Sequence, residues 1–180
     1  PRPEAQLVEG PGGGLVPGGP GWFVVNAADA VWWHSPEFGS ATRFESMAEG
    51  AWFEHYGLNL RVLQPGQPNC RYDGETGQEG FLVLTGECIA IVEGQELRLG
   101  PWDFLHCPKD TLHLFAGAGD GPCAGHQHQA RPAEDTLFYP ADALAAAHGA
   151  AAAADTHNPR EAYAGCARPE PCLPRRDLLP

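Results

Sequence analysis

The fold is decided by residues 65–117, which read PGQPNCRYDGETGQEGFLVLTGECIAIVEGQELRLGPWDFLHCPKDTLHLFAG. Two apolar runs, at 81–84 and 88–92, have the length of short buried strands. They are bounded by Thr-Gly at 85–86 and Glu-Gly at 93–94, and such glycine-containing pairs are typical of tight hairpin turns. Turns recur about every ten residues, a spacing that predicts an antiparallel all-β barrel or sandwich.

The chain divides into four segments by composition. They are a flexible Gly/Pro-rich tail at 1–20, an N-terminal strand with covering loops at 21–56, the barrel at 57–131, and a C-terminal extension at 132–180. In the second segment, the apolar run Trp22–Val25 predicts the strand. In the last, alanine's high helix propensity predicts one helix over 141–155. The Pro-rich end that follows is expected to be an extended or disordered arm.

The charge balance excludes some classes of partner. Acidic residues number 23 and basic ones 11, for a net charge of −12, which disfavours nucleic acid and anionic membranes. Arg175-Arg176 is too short to form a basic patch. No apolar run reaches the roughly 20 residues of a membrane span, and no signal-peptide pattern is visible. The six cysteines form no C-x2-C pair, which favours a reduced, cytoplasmic protein.

Two spaced motifs in residues 65–117 resemble those of the cupin superfamily. The first cupin motif is a glycine, five residues, His, one residue, His, three or four residues, Glu, six residues and Gly. In this chain Gly66, Tyr72, Gly74, Glu79 and Gly86 match that spacing. The two histidine positions are thus held by Tyr72 and Gly74.

The second motif is matched by Pro108, Asp110 and His113, with Gly117 in the place of an asparagine. The resemblance implies a cupin-type antiparallel double-sheet β-barrel, or jelly roll, with a short C-terminal helix after it. Residues 65–121 as a whole look like a subgroup of bacterial single-domain cupins of unassigned activity.

The resemblance also implies a site for one divalent metal (Zn, Fe, Mn or Ni), with Glu79 and His113 among its ligands. Glu79 could instead be a surface carboxylate at a strand end, but its spacing to the motif glycines favours the cavity. Asp73 is a third candidate ligand. On a regular strand it points away from the face of Tyr72, and a bulge beside Gly74 would turn it inward. Tyr72 is expected on the cavity wall, where it would contact the substrate.

Three further histidines are candidates for substrate binding. His126 and His128 alternate along a predicted strand and therefore share one face. That face is either the cavity, where the pair would add two imidazoles, or a solvated outer surface. His106 has the parity of Trp102 and Phe104, so it either lines the cavity or is hydrogen-bonded in the barrel wall; the wall is favoured.

Three functions are open at this point. Binding of a small molecule in the barrel cavity, directly or through a divalent metal, is favoured because two metal-ligand positions lack histidine. The first alternative is a metal-dependent oxygenase, isomerase or lyase, and the second is a structural dimer without catalysis. The Trp22–Val25 strand has no partner nearby in the sequence, so it is expected to cross to a second subunit. The expected partners are therefore a small-molecule ligand and a second copy of the chain.

Overall fold

The structure, a computed structural model, describes residues 2–173. In that range the backbone is mostly β, with two short helices, α1 (Ala143–Ala147) and α2 (Pro159–Ala162), and 3-10 turns at Pro11–Gly13 and Ala27–Asp29. The strands are β1 (Leu7–Glu9), β2 (Leu15–Pro17), β3 (Val31–Ser35), β4 (Gly39–Arg43), β5 (Tyr56–Leu63), β6 (Gly74–Glu75), β7 (Glu79–Thr85), β8 (Glu87–Val92), β9 (Gln95–Leu99), β10 (Phe104–Cys107), β11 (His113–Ala118), β12 (Cys123–Ala130), β13 (Leu137–Phe138) and β14 (Glu170–Cys172).

Two antiparallel sheets enclose the core. The larger has the strand order β10-β7-β12-β5-β4-β3-β14, and the smaller has the order β11-β8-β9. Apolar side chains from both sheets meet between them, and the ring of Phe81 stacks on that of Phe115 with centroids 3.7 Å apart. Two further strand pairs, β1-β2 and β13-β6, lie outside these sheets. The prediction of an all-β, antiparallel double-sheet barrel is therefore confirmed.

The hairpin turns read from the sequence join the central strands. Gly86 links β7 to β8 with a φ of 73°, and a Cβ there would lie 2.4 Å from the carbonyl oxygen of Pro122. Glu93 and Gly94 link β8 to β9 with φ of 49° and 72°. Two consecutive positive φ values are those of a type I′ turn, whose twist suits a two-residue hairpin.

The N-terminal segment 1–20 was expected to be a flexible tail, but from residue 2 onward it forms the hairpin β1-β2. Ala5 and Pro17 are buried. The reason lies in how the glycines are used: a Cβ on Gly14 would lie 2.4 Å from the carbonyl oxygen of Ala30. The absence of a side chain thus permits close backbone packing there rather than mobility.

The strand predicted at Trp22–Val25 is wrong. Trp22 makes a single bridge to Glu4, and Val24 is 80% exposed. The neighbouring β3 pairs with β4 on one side and with β14 on the other, so it offers no free edge to an additional strand. The apolar run therefore crosses the surface as a loop.

The predicted helix at 141–155 is also much shorter than expected. It begins after Asp142, whose side chain accepts a hydrogen bond from the amide of Ala145 at 2.8 Å, and it ends before Gly149, which has a φ of 70°. The helix packs Ala145 against the outer side of the smaller sheet. The Pro-rich arm supplies β14, while Arg175-Arg176 lies outside the described residues. Within residues 2–173 no helix is long and apolar enough to cross a membrane.

Candidate functional site

A carboxylate and an imidazole form a buried ion pair between the two sheets. Glu79 begins β7 and His113 begins β11, and Glu79 Oε2 lies 2.6 Å from His113 Nε2. Their side chains are only 9% and 4% exposed. His113 Nδ1 lies 3.0 Å from the carbonyl oxygen of Thr111. Because a carbonyl can only accept and a carboxylate is the best acceptor when ionised, both ring nitrogens carry a proton.

The charges of this pair stabilise each other. Burial by itself would lower the pKa of His113, but the hydrogen bond and charge of Glu79 outweigh it and raise that pKa to about 9. For Glu79, burial would raise the pKa, but the hydrogen bond and charge of His113 and a hydrogen bond from Gln127 lower it. At neutral pH the pair is therefore an imidazolium and a carboxylate.

A chain of hydrogen bonds runs from this ion pair across the larger sheet. Gln127 Nε2 donates to Glu79 Oε1 at 3.0 Å, and Arg61 Nε donates to Gln127 Oε1 at 3.0 Å. Arg61 Nη1 donates in turn to the carbonyl oxygen of Asn69 at 3.0 Å. Both oxygens of Glu79 are thus satisfied, and the guanidinium of Arg61 is held in one orientation.

Two more carboxyl groups lie beside the ion pair. Asp73 pairs with His113 through both backbone hydrogen bonds, at 3.3 and 2.8 Å, and Cys70 Sγ lies 3.7 Å from Asp73 Oδ1. Glu75 lies in β6, and its Oε1 accepts from Gln129 Nε2 at 3.4 Å.

Both of these groups hold protons more tightly than usual. Burial raises the pKa of Asp73 to about 7; the charge of His113 opposes this rise and the charge of Glu79 adds to it. Burial, followed by the charges of Glu79, Asp135 and Asp73, raises the pKa of Glu75 to about 8. Near neutral pH the cluster of Asp73, Glu75, Glu79 and His113 therefore contains protonated carboxyl groups next to an ionised one. We call these four residues the acidic cluster.

A cavity of about 280 Å³ lies against strands β3, β4, β5 and β12 of the larger sheet. Arg61 and Gln129, which bond to Gln127 and Glu75 respectively, also form part of its wall. The complete lining consists of Trp33, Ala41, Arg43, Glu45, Trp52, Gly57, Leu58, Asn59, Arg61, Gln129, Arg131 and Pro169. We call this the mouth cavity.

Comparison with known proteins identifies the fold. Residues 59–125 match the cupin domain family, and a solved structure described as a member of the cupin superfamily shares the double-sheet barrel. Residues 59–125 of this chain form a cupin domain.

The individual relatives of this cupin are distant. It is 43% identical over 37 residues to quercetin 2,3-dioxygenase from Bacillus subtilis, a match that covers 21% of this chain and 11% of that enzyme. A sugar phosphate isomerase structure from Silicibacter pomeroyi superposes with a TM-score of 0.50 at 21% identity, covering 63% of this chain and 67% of that one. The polyketide cyclase RemF from Streptomyces resistomycificus gives 0.52 at 13% identity, covering 62% and 82%. These two structural likenesses concern the fold alone.

The geometry changes which residues occupy the two histidine positions of the first cupin motif. Asp73 and Glu75, not Tyr72 and Gly74, lie on the side of Glu79 and His113. The chain then reads Gly66, six residues, Asp73, one residue, Glu75, three residues and Glu79. Glu75 was missed by the sequence analysis. The signal for it was present, because the motif allows three residues before its glutamate.

Tyr72 is therefore not on the cavity wall, and that prediction is wrong. Its side chain is 1% exposed and packs with Ile91, Leu114 and Ala145 on the outer side of the smaller sheet. Its hydroxyl accepts a hydrogen bond from the amide of Gly94 at 3.1 Å. Asp73, expected to point away unless a bulge intervened, takes the inward position because residue 73 belongs to no regular strand.

The three histidines proposed for substrate binding lie on the outer face of the larger sheet. Gln127 points inward to Glu79, so its neighbours His126 and His128 point outward. The ring of His128 stacks 6.2 Å from that of Phe104, which is 57% exposed. His106 is exposed on β10 and lies neither in the cavity nor in a buried wall. All three therefore lie outside the cavity, and His126 and His128 are on the outer face that the sequence left open as the alternative.

The donor set was tested against the divalent metal that the superfamily implies. Asp73, Glu79 and His113, the three predicted ligands, do lie in one region. However, among residues 2–173 no three His, Cys, Asp or Glu side chains are arranged to hold a metal ion. His113 Nε2 donates to Glu79 and carries a proton, whereas a metal ligand must offer a lone pair. With Nε2 bonded to Glu79, the described side chains do not present three donors to one metal ion.

No disulfide joins any of the six cysteines, which all lie within the described residues. Cys88, Cys107 and Cys123 are buried in the barrel. The compartment stays a prediction.

Proposed function

We propose that this cupin binds a small polar organic molecule in the mouth cavity and does so without a metal. The observation that carries the proposal is the cavity itself, whose wall combines guanidinium, amide and indole groups, most of them on neighbouring strands. Such a mixture of flat apolar surfaces and a few fixed polar groups is typical of ligand sites.

The acidic cluster braces this wall. The hydrogen bonds from His113 through Glu79 and Gln127 to Arg61 fix the guanidinium before a ligand arrives. A group fixed in advance loses little conformational freedom on binding, so more of its interaction energy appears as affinity. On this proposal the ion pair supports the site from behind rather than holding a metal.

The tryptophan side chains offer a direct test. Trp33 and Trp52 line the mouth cavity, while Trp22 and Trp102 are exposed elsewhere and serve as internal controls. Indole N–H signals of ¹⁵N-labelled protein are followed while benzoate, benzamide and glucose are added one at a time. We expect at least one probe to shift the signals of Trp33 and Trp52 and to leave the controls unchanged. Uniform shifts of all four, or none with any probe, would count against the proposal.

A second candidate function is metal-free acid–base catalysis by the acidic cluster. It is favoured by one observation: a buried imidazolium–carboxylate pair with two more carboxyl groups beside it, of which Glu75 contacts a residue of the cavity wall. Such a set can both hold and release protons near neutral pH. The test is incorporation of deuterium from D₂O into a bound probe, followed by NMR. Exchange in the native protein that is lost in Glu75→Gln would support catalysis; its absence leaves binding as the function.

Metal-dependent chemistry, the other enzymatic alternative, is tested by metal analysis of protein purified without a histidine tag. Less than one metal ion per ten chains is expected. A stoichiometric first-row metal that is lost in His113→Ala would overturn the proposal of a metal-free site and restore the ligand set Asp73, Glu79 and His113.

We also propose that the chain forms a two-fold homodimer through the outer face of the larger sheet. Phe104 is 57% exposed there, beside the half-buried imidazoles of His126 and His128. Trp102, in the turn before β10, is 76% exposed. β10 is the edge strand of this sheet, and an isologous contact would bury the same apolar strip on both subunits. This replaces the exchanged Trp22–Val25 strand as the basis of the dimer. Sedimentation equilibrium of the native chain and of Phe104→Glu tests it, with a monomeric native chain as the contrary result.

A further inference from the structure

The mouth cavity is positively charged in a protein that is strongly negative. Of the 11 basic residues in the chain, Arg43, Arg61 and Arg131 line this one cavity, although the net charge is −12. Among the described residues of the lining, Glu45 is the only acidic one. Three guanidinium groups against one carboxylate give the cavity a local field opposite to that of the whole chain, and such a field favours an anion.

The three arginines are not equally available to a ligand. Arg131 bonds both oxygens of Glu45, at 2.6 and 2.9 Å, and its guanidinium lies 3.7 Å from the ring centre of Trp52. Arg61 uses Nε and Nη1 on Gln127 and Asn69, which leaves Nη2 for a ligand. Arg43 is exposed, and its guanidinium makes no hydrogen bond or ion pair to any residue in the range 2–173. The charge of Arg131 is thus neutralised locally, while those of Arg43 and Arg61 are not.

A second unsatisfied donor lies next to Arg61. Asn69 is 2% exposed, and its Nδ2 is buried without a hydrogen-bond partner in the described part of the chain. Its backbone carbonyl is the oxygen that accepts from Arg61 Nη1. Asn69 does not line the mouth cavity, so it acts on the site only through the carbonyl that orients Arg61.

The shape of the cavity restricts the anion further. Trp33 and Trp52 contribute indole surfaces to its wall, and Trp52 is 43% exposed. Flat aromatic walls favour planar ligands. The volume of about 280 Å³ lies just below the range for pockets of drug-sized molecules, roughly 300–1,000 Å³. One six-membered ring with a carboxylate fits that size.

We infer that the mouth cavity takes a small planar organic anion of the size of a monocyclic aromatic carboxylate, with Arg43 and Arg61 holding the carboxylate and Trp33 and Trp52 flanking the ring. This rests on the proposed binding function and adds the class of ligand. The carboxylate accepts from the two guanidinium groups, and Arg131 stays in place as part of the wall.

The experiment compares benzoate, benzamide and inorganic phosphate by isothermal titration calorimetry against the full native chain. Benzamide has the same ring without the charge, and phosphate has the charge without the ring. The variant Arg43→Gln removes a cavity charge. Arg98→Gln is its matched control, because Arg98 lies on β9 and pairs with Glu87 away from the cavity. Both side chains are exposed, so neither change is expected to disturb folding.

We expect benzoate to bind at least tenfold more tightly than either benzamide or phosphate. Arg43→Gln should weaken benzoate at least tenfold, and Arg98→Gln by less than twofold. Equal binding of benzoate and benzamide would leave the binding function standing and overturn the anionic class. Phosphate as tight as benzoate would overturn the planar requirement. If Arg43→Gln and Arg98→Gln lose the same benzoate affinity, the effect comes from the overall charge of the protein and the inference is wrong. If none of the probes binds, both the proposed function and this inference are wrong.

Discussion

Replacement of Glu75 by glutamine should make the cupin more stable above neutral pH. Glu75 is 6% exposed, and burial together with nearby carboxylates raises its pKa from an ordinary 4.5 to about 8. Because the folded pKa is raised, the folded state keeps a proton that the unfolded chain loses. The stability due to this proton is complete below about pH 4.5 and is lost as pH rises through 8. Glutamine is neutral throughout and does not incur this loss.

The size of the effect follows from the shift. A displacement of this size corresponds to about 5 kcal/mol at most, and relaxation of the site and coupling to Asp73 and Glu79 reduce it to about 2–4 kcal/mol. The amide oxygen can still accept from Gln129 Nε2, as Glu75 Oε1 does. Little stability should therefore be lost at low pH, where both side chains are neutral.

Urea denaturation at pH 5 and pH 8 measures the effect. Between these values the native chain should lose more free energy of unfolding than Glu75→Gln, and at pH 8 the variant should be the more stable by about 2 kcal/mol or more. Glu49→Gln is the control. Glu49 is exposed, so this substitution removes one carboxylate charge from the surface instead of from the interior. If Glu75→Gln and the native chain show the same dependence on pH, the placement of Glu75 among buried carboxylates is refuted.

Three further predictions concern the ion pair and the residues placed outside the cavity. Glu79→Gln leaves the imidazolium of His113 buried without a counter-charge, so near pH 6 it should cost about 3–5 kcal/mol in urea denaturation; the cost should shrink above the raised pKa of His113, about 9, where the ring is neutral in both proteins. Tyr72→Phe removes only the acceptor for the Gly94 amide, so it should cost about 1 kcal/mol and leave benzoate affinity unchanged; a tenfold loss of affinity would return Tyr72 to the cavity. Burial, and then the charge of His128, lowers the pKa of His126, so sedimentation should show the proposed dimer dissociating as pH falls below the ordinary range of histidine, and a dimer indifferent to pH would place these histidines outside the interface.

The sequence predicted the parts of the fold that depend on local signals. Turn residues such as Glu93-Gly94 set the hairpins, and the motif glycines correctly located the central strands. The prediction from the sequence failed where side chains were assumed to alternate between the two faces although the backbone is irregular. Residues 65–73 join the smaller sheet only by isolated bridges at Pro65, Pro68 and Asp73. Counting the motif positions from Gly66 as if the backbone were regular therefore assigned the inward position to Tyr72 instead of Asp73.

The mouth cavity could not have been predicted in this way. Arg43 ends β4, Arg61 lies in the middle of β5, and Arg131 follows β12, so the sequence separates them by as many as 88 positions. They meet because β4 pairs with β5 and β5 with β12 in a particular register. No local pattern marks them, and as single arginines in an acidic chain each is indistinguishable from an ordinary surface residue until the sheet order is known.

The acidic cluster and the arginines are best understood together. Ionised carboxylates at positions 73 and 75 would be poorly tolerated inside a barrel, and burial, with the charge of Glu79 adding to it, raises the pKa of each. Glu79, the carboxylate whose pKa is lowered, is neutralised by His113 on one side and bonded through Gln127 toward Arg61 on the other. The interior is thus close to neutral, and it does not cancel the positive field of the cavity above it. Since Arg61 belongs to both regions, an anion in the mouth and the protonation of the interior should influence each other through that one guanidinium.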